Sequence, residues 1–305
     1  MRYFLKKIIG LVPLLLIISL LAFILVRLAP GGPFDRERKP ASPEIERNLL
    51  AKYHLDKPIW MQYLYFLKGI CHGDFGASLK YRNHAVTDII VQSLPVSMCL
   101  GFLAFVFSYS VGIPAGIIAA ARKGQILDWL IVIIATISLS VPGFVIGPFL
   151  ILVFAIKLQW FPVALWESAW HAVLPTLALG IYFSGRIARL TREGLINVLN
   201  ERFILAARAR GVNDTMILVR HALPLGLIPV ITYTGPVLAD LLTGSFVVEN
   251  VFQIPGIGVF LVNSCLNRDY PMIVGIVIVY SIILVSLNLL TDIIHWLVDP
   301  RIRHE

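Results

Sequence analysis

A basic segment in the middle of the chain, residues 186–221, is the part of the sequence best equipped to bind a partner. It contains seven arginines and only three acidic residues. The alanines and arginines of residues 206–210 favour a helix, whereas Gly211-Val-Asn-Asp214 favours a turn. The pattern predicts a helix, a turn and a second helix. Such a basic amphipathic unit adsorbs on anionic lipid unless a partner protein covers it.

A second candidate is Asp240, which lies within an otherwise uncharged apolar run. An ionisable side chain at membrane depth suggests a functional site by default. We therefore expect Asp240 to take part in a functional site. The alternative is that it only faces a wet cavity or pairs across an interface. The sequence contains no HExxH, no GxSxG and no Cys/His group, so we expect no catalytic residue and no metal site in this chain.

The composition shows what kind of elements must position these residues. Hydrophobic residues make up 58% of the 305 positions and charged residues 14%, whereas a soluble domain is usually about half apolar and about a quarter charged. Six runs come close to the roughly 20 apolar residues that a membrane span needs. We therefore predict an all-α polytopic membrane protein with six transmembrane helices, at about residues 8–28, 96–121, 129–156, 172–190, 222–248 and 272–297.

The first run follows Lys6 and Lys7 and is too long for the apolar part of a signal peptide, and no A-x-A cleavage site follows it. We expect an uncleaved transmembrane helix over residues 1–28 and an extracytoplasmic loop region over residues 29–95. A core of five transmembrane helices over residues 96–298 would follow, with a basic cytoplasmic loop at 191–221, and then a cytoplasmic tail at 299–305.

The net charge of +8 is explained by the retention of Lys and Arg on the cytoplasmic side of the membrane. With six spans, the N-terminus, the loop with Arg122 and Lys123, the basic segment and the C-terminal tail all lie on the same side. That side is therefore predicted to be cytoplasmic. No basic patch with interleaved aromatic residues is present, so a nucleic-acid partner is not expected.

The cysteines and glycines of the chain carry weaker signals. Cys71 and Cys265 fall in loops on the extracytoplasmic side, where either a disulfide or two free thiols would fit, and Cys99 lies in an apolar run. Two glycine pairs at four-residue spacing, Gly112/Gly116 and Gly143/Gly147, would allow close helix approach.

The basic segment and the residues after it resemble the EAA signature of ABC importer permeases, E-A-A-x3-G-x9-I-x-L-P. Ala206-Ala207, Gly211 and Leu223-Pro224 match it, whereas Leu205 and His221 stand where the signature has an acidic residue and an isoleucine. The forms Ala207-Arg-Ala-Arg-Gly211 and Arg220-His-Ala-Leu223 are similar to the dipeptide/oligopeptide branch of that family.

Short motifs along nearly the whole chain also resemble this branch, and in particular the B-type membrane subunits of bacterial oligopeptide importers. They are Arg27-Leu-Ala-Pro-Gly31, Lys52-Tyr-His-Leu-Asp56, Gly73-Asp-Phe-Gly76-Ala-Ser78, Thr243-Gly-Ser245, Val248-Glu249, Pro255-Gly-Ile-Gly258, Leu266-Asn-Arg-Asp-Tyr270 and Asp299-Pro-Arg301.

The resemblance implies a type I importer permease in the bacterial inner membrane. Ala206, Ala207, Arg208, Arg210, Gly211, Leu223 and Pro224 would couple it to two cytoplasmic ATPase subunits. An extracytoplasmic solute-binding protein would dock at Pro255, Gly256 and Gly258. Asp240 would line a substrate path that a second homologous permease completes. The chain has no G-x-x-x-x-G-K-[ST] motif, so we expect no cofactor of its own, and ATP-Mg bound by the partner subunits.

Three alternatives remain open on the sequence. The first is a permease of the same family for nickel, glutathione or another small solute. The second is a secondary transporter or channel that works alone, which would need coupling charges within its spans. The third is a membrane enzyme, which would need a polar catalytic group at membrane depth.

Overall fold

A computed structural model describes residues 2–28, 56–81, 84–242 and 246–298 of the chain. The motifs at 243–245 and 299–301, the tail at 299–305 and most of the motifs at 27–31 and 52–56 lie outside the described residues. Within these ranges the chain is helical, with one isolated antiparallel bridge between Ala77 and Ala85. The prediction of an all-α fold is confirmed for this part of the chain.

The described residues of the first half of the chain form five α-helices and one π-helix. In chain order they are α1 (Arg2–Leu28), α2 (Ile59–Cys71), α3 (Val86–Ala121), α4 (Ile126–Ser140), α5 (Gly143–Leu150) and the π-helix π1 (Ile151–Lys157), which continues α5.

The second half begins with the long helix α6 (Ala169–Leu199). The elements that follow it are α7 (Arg202–Ala209), the single turn α8 (Asp214–Met216), π2 (Ile217–Ala222), α9 (Leu223–Gly226), α10 (Ile228–Leu242), α11 (Phe246–Val251), α12 (Ile257–Asn267) and α13 (Tyr270–Val298).

By length and apolar composition, four stretches of the described chain could cross a membrane, and a fifth results if α4 and α5–π1 count as one broken span. The predicted fourth span lies in α6, which is helical over 31 residues but is not among these stretches; its second half carries Arg186, Arg189, Arg192 and Glu193. The total of six therefore remains a prediction. The second span also begins earlier than expected, at Val86.

The predicted third span, residues 129–156, is not one continuous helix. The chain bends by 102° between its two parts, Ile126–Ser140 and Gly143–Lys157. Val141 is extended, with φ −89° and ψ 118°, because the ring of the following Pro142 disfavours helical geometry at the residue before it. Pro142 then stands immediately before the first residue of α5. The uninterrupted apolar composition of this run concealed the break.

The chain divides into two compact units, Met1–Ser97 with Pro255–Val285 and Met98–Ile254 with Ser286–Glu305. The core of the first unit includes a cluster of fully or almost fully buried apolar side chains from α3, α12 and α13: Val86, Ile89, Ile90, Ile257, Met272 and Ile276. One core cluster of the second unit joins α3, α6 and π2 through Ala120, Leu195 and Ala222. All three cysteines are exposed, and all three are free thiols.

The glycine pair Gly112/Gly116 lies where α3 packs against α6. A Cβ atom added to Gly112 would lie 2.7 Å from the carbonyl oxygen of Ser184 and 2.8 Å from the Cβ of Ile187. At Gly116 it would lie 2.5 Å from the carbonyl oxygen of Ala188. These distances confirm the predicted close approach. At Gly143, of the second pair, an added Cβ would meet its nearest atom only at 4.0 Å.

Gly112→Ala is therefore expected to lower the free energy of unfolding by about 1–3 kcal/mol, the usual cost of overpacking a well-filled site. The midpoint of thermal unfolding in detergent measures this loss. The matched control is Gly143→Ala, where the added methyl group has room, so that its midpoint should stay at or above that of the wild type. Equal midpoints for the two variants would contradict the close approach of α3 and α6.

Candidate functional site

The basic segment folds as the predicted helix, turn and helix. Helix α7 ends in a tight turn in which the backbone N–H of Gly211 donates to the carbonyl of Arg208 at 2.9 Å. The N–H of Val212 donates to the carbonyl of Ala207 at 3.2 Å. Gly211 has φ +82°, a left-handed conformation that glycine adopts without steric cost. Asn213 then caps the next helix, because its side chain accepts from the N–H of Thr215 at 3.1 Å.

The turn region offers a mostly exposed surface. Ala206, Arg208, Arg210 and Gly211 are exposed and Ala207 is half-buried, whereas Ile204 is fully buried and anchors α7. Arg208 pairs with Asp214 across the turn at 3.1 Å, but both side chains are so open to solvent that the pair contributes little stability. Five of the seven predicted coupling residues, 206–208, 210 and 211, thus lie together at one mostly exposed turn, whereas Leu223 and Pro224 lie further along the chain in α9.

The residues after the turn connect it to the core of the second unit. Ile217 and Ala222 of π2 are fully buried, and Ala222 packs in the cluster with Ala120 and Leu195. Leu223 opens α9 with Pro224 in its first turn, a position where proline needs no backbone N–H. Leu223 also packs against this cluster, so the chain from the basic turn through π2 to α9 is in contact with α6.

A buried ion pair fixes the turn between α3 and α4 to α6. The Nε of Arg192 donates to Oδ1 of Asp128 at 2.5 Å, and its Nη2 donates to Oδ2 at 2.9 Å. The N–H of Gly124 also donates to Asp128, at 2.9 Å. The Asp128 side chain is only 6% exposed and that of Arg192 25%. This two-pronged arrangement is the strongest geometry that a carboxylate and a guanidinium can form.

In the sequence, Arg192 is one of the seven arginines of the basic segment, and Asp128 stands one position before the predicted third span. The two residues are 64 positions apart, and no local pattern connects them. An isolated acidic residue at the start of an apolar helix was the one signal that could have drawn attention to the pair.

Asp240 lies on an exposed face of α10. Seven residues before it, the ring of Tyr233 lies beneath the guanidinium of Arg186, which comes from α6, at 4.8 Å. The neighbouring Thr234 accepts a hydrogen bond from the hydroxyl of Tyr109 at 2.7 Å. Polar and charged side chains therefore collect between α6 and α10, beside the candidate path residue.

In the first unit, two of the family-like motifs meet at one buried carboxylate. Asp269, fully buried, accepts from the hydroxyl of Ser78 in a short hydrogen bond. It also accepts from the backbone N–H groups of Leu79 at 3.1 Å and Lys80 at 3.3 Å. Ser78 ends the motif of residues 73–78 and Asp269 belongs to that of residues 266–270. The sequence had placed both motifs in loops without joining them.

The three candidate docking residues differ in exposure. Pro255 is exposed, whereas Gly256 and Gly258 are buried. Between the two glycines, the N–H of Ile257 donates to the hydroxyl of Ser97 at 2.9 Å, and the Ile257 side chain enters the core cluster of this unit. Of the three, Pro255 presents a surface, and the two glycines shape the backbone beneath it.

Asp269→Asn is expected to lower the free energy of unfolding by about 1.5–3 kcal/mol, the value of hydrogen bonds to a charged acceptor. The asparagine side chain has the same shape as that of aspartate. Its NH2 group, however, would face the O–H and N–H groups that donate to Asp269 in the wild type. Thermal unfolding in detergent would reveal the loss. Asp74→Asn is the matched control, because Asp74 is exposed and accepts from one N–H, that of Gly76, at 2.8 Å. If both variants melted alike, Asp269 would not hold the two motifs together.

Two family models match the chain. The model described as "Binding-protein-dependent transport system inner membrane component" matches residues 112–304. The model for the N-terminal part of such membrane components matches residues 1–101. Together they cover almost the entire sequence, including the basic segment and α1.

Curated relatives are similar over their full length. The oligopeptide transport system permease protein OppB of Haemophilus influenzae is 39% identical over 306 residues, with 100% of each chain covered. The dipeptide transport system permease protein DppB of Bacillus subtilis is 41% identical over 302 residues, covering 99% of this chain and 98% of the relative.

The fold is similar to that of solved ABC transporters. An inward-facing structure of the methionine ABC transporter MetNI matches with a TM-score of 0.57 and 19% identity, over 69% of this chain and 96% of that one. An amino acid ABC transporter with histidines matches with a TM-score of 0.53, 17% identity, and 68% and 93% coverage. The expected importer permease fold is confirmed.

Proposed function

Since the chain belongs to the family of inner membrane components of binding-protein-dependent transport systems, we propose that it is the permease subunit of an ATP-driven importer of oligopeptides or dipeptides. The observation that carries this proposal is the full-length identity of 39–41% to oligopeptide and dipeptide permeases. The chain would provide half of a translocation path and would leave ATP hydrolysis to other subunits.

The partners follow from this role. A second, related permease would complete the path, two cytoplasmic ATPase subunits would bind the basic turns, and a solute-binding protein would deliver peptide from the opposite side. A helix that protrudes and ends in a fixed turn can transmit rigid-body motion. The exposed turn at Arg208–Gly211 and its buried continuation through π2 support such a coupling role.

Co-purification tests the proposed assembly. The tagged chain, isolated in mild detergent from its own cells, is expected to carry ATPase subunits whose ATP hydrolysis increases when the peptide-loaded binding protein is added. A chain that isolates alone and by itself mediates solute flux would instead be a stand-alone transporter or channel. The choice between peptides and nickel or glutathione rests on the solute that the cognate binding protein binds.

The membrane orientation can be tested with an impermeant maleimide. Partial burial raises the pKa of the Cys265 thiol, which slows its alkylation, so Cys71 is the better probe. With Cys99 and Cys265 replaced by serine, Cys71 is expected to react in intact spheroplasts. With all three cysteines replaced, the thiol introduced by Arg210→Cys is expected to react only after permeabilisation. The reverse labelling would place the basic segment outside the cell.

A further inference from the structure

Arg186 is a positively charged residue of α6 that has no part in the proposed coupling. Its side chain is exposed and lies within the predicted fourth span, where it stacks on the ring of Tyr233. Among the residues that the structure describes, Arg186 forms neither an ion pair nor a hydrogen bond. By contrast, the next two arginines of α6 are paired: Arg189 with Glu193 at 3.7 Å and Arg192 with Asp128.

Within the predicted fourth span, an arginine is costly against lipid and is expected to face a wet path or an opposite charge. The guanidinium lies over the tyrosine ring, 4.8 Å from its centre, and the side chain is exposed, so its N–H donors are accessible to a carboxylate. A guanidinium can bind a carboxylate through two parallel hydrogen bonds. The arrangement is therefore suited to an anion that arrives from outside the described chain.

Asp240 supplies a negative charge on the face of α10 that carries Tyr233. It follows Tyr233 by seven residues in α10, two helical turns or about 10 Å along the axis. Since Arg186 lies over Tyr233, its charge and that of Asp240 are placed about two helical turns apart along α10, an arrangement complementary to a molecule that carries a carboxylate at one end and an ammonium group at the other.

We propose that Arg186, stacked on Tyr233, binds the C-terminal carboxylate of the transported peptide, while Asp240 attracts its N-terminal ammonium group. An extended chain advances about 3.3–3.6 Å per residue, so the two charges match the free termini of a peptide of about three residues. This inference rests on the proposed function and deepens it, because it names free peptide termini as what the permease itself recognises.

The test uses the complete importer complex in proteoliposomes, with its binding protein outside and ATP inside. The variants are Arg186→Gln, Arg186→Lys and the control Arg189→Gln, which lies one turn further along α6. Uptake of a labelled tripeptide is compared with uptake of the same tripeptide amidated at its C-terminus, and stimulated ATP hydrolysis is recorded in parallel. The affinity of the binding protein for each peptide is measured separately, and the uptake rates are corrected for it.

Arg186→Gln is expected to slow uptake of the free acid about tenfold or more, because a charge-assisted hydrogen bond is lost, and to leave the amide at its wild-type rate. Arg186→Lys should recover part of the uptake of the acid, and Arg189→Gln should match the wild type.

Equal uptake of the acid by Arg186→Gln and wild type would overturn the inference. Equal loss for acid and amide would also overturn it, since Arg186 would then pair with a protein carboxylate. If the wild-type complex took up no peptide at all, the proposed function would fail instead.

Discussion

Gly211→Pro is expected to reduce peptide uptake to background while the chain still inserts into the membrane. Proline fixes φ near −65°, whereas Gly211 has φ +82°, and proline removes the N–H that donates to the carbonyl of Arg208. The turn that presents Arg208 and Arg210 could then not form. The apolar helices do not depend on this turn, so the amount of protein in the membrane should be unchanged. Uptake of labelled peptide and stimulated ATP hydrolysis are the measurements.

A pair of valine variants separates coupling from backbone strain. Gly124 has φ +80° and, like Gly211, has no atom within 4 Å of an added Cβ. Gly211→Val and Gly124→Val therefore impose similar strain, of order 1–2 kcal/mol. We expect Gly211→Val to lose most of the stimulated ATP hydrolysis and Gly124→Val to keep it. Equal losses would mean that the turn at Gly211 has no special part in coupling.

Asp128→Ala is expected to lower the free energy of unfolding by about 3–5 kcal/mol, because it leaves the guanidinium of Arg192 largely buried without its partner. The expected consequence is a large fall in the thermal midpoint in detergent and little folded protein in the membrane. Glu193→Ala, which breaks the exposed pair with Arg189, should change stability by at most about 0.5 kcal/mol.

The double variant Asp128→Leu with Arg192→Met shows whether the ion pair or the packing around it matters. Replacing both members of a buried pair with apolar residues of similar volume is often neutral or stabilising. We therefore expect the double variant to unfold closer to the wild type than Asp128→Ala does. A double variant as unstable as the single one would show that Asp128 stabilises the structure mainly through the N–H of Gly124.

The features that sequence reasoning predicted best are local ones. The helix, turn and helix around Gly211 follow from residues within one short stretch, since the glycine, Asn213 and the flanking alanines each favour the conformation that they adopt. Helix α1 and the apolar parts of α3 and α13 follow from long runs that only a membrane-spanning helix explains. The close contact at Gly112 and Gly116 required only a four-residue spacing.

The features that were missed depend on the fold. Asp128 and Arg192, or Ser78 and Asp269, are distant in sequence, and only the packing of their helices and loops brings them together. The break at Val141-Pro142 was concealed because hydropathy reports burial in lipid or protein and not backbone direction. Likewise, Arg186 counted only as one more cytoplasmic charge until the structure placed it on Tyr233.

The central claim is that the chain transports peptide only as part of an ATP-driven assembly coupled through its basic turn. ATP-dependent uptake of a labelled tripeptide by the reconstituted complex tests this claim most directly. We predict uptake that requires both internal ATP and the external binding protein, and that disappears in the Gly211→Pro complex. Uptake that continued without ATP, or that persisted in the Gly211→Pro complex with normal coupling to ATP hydrolysis, would contradict the account.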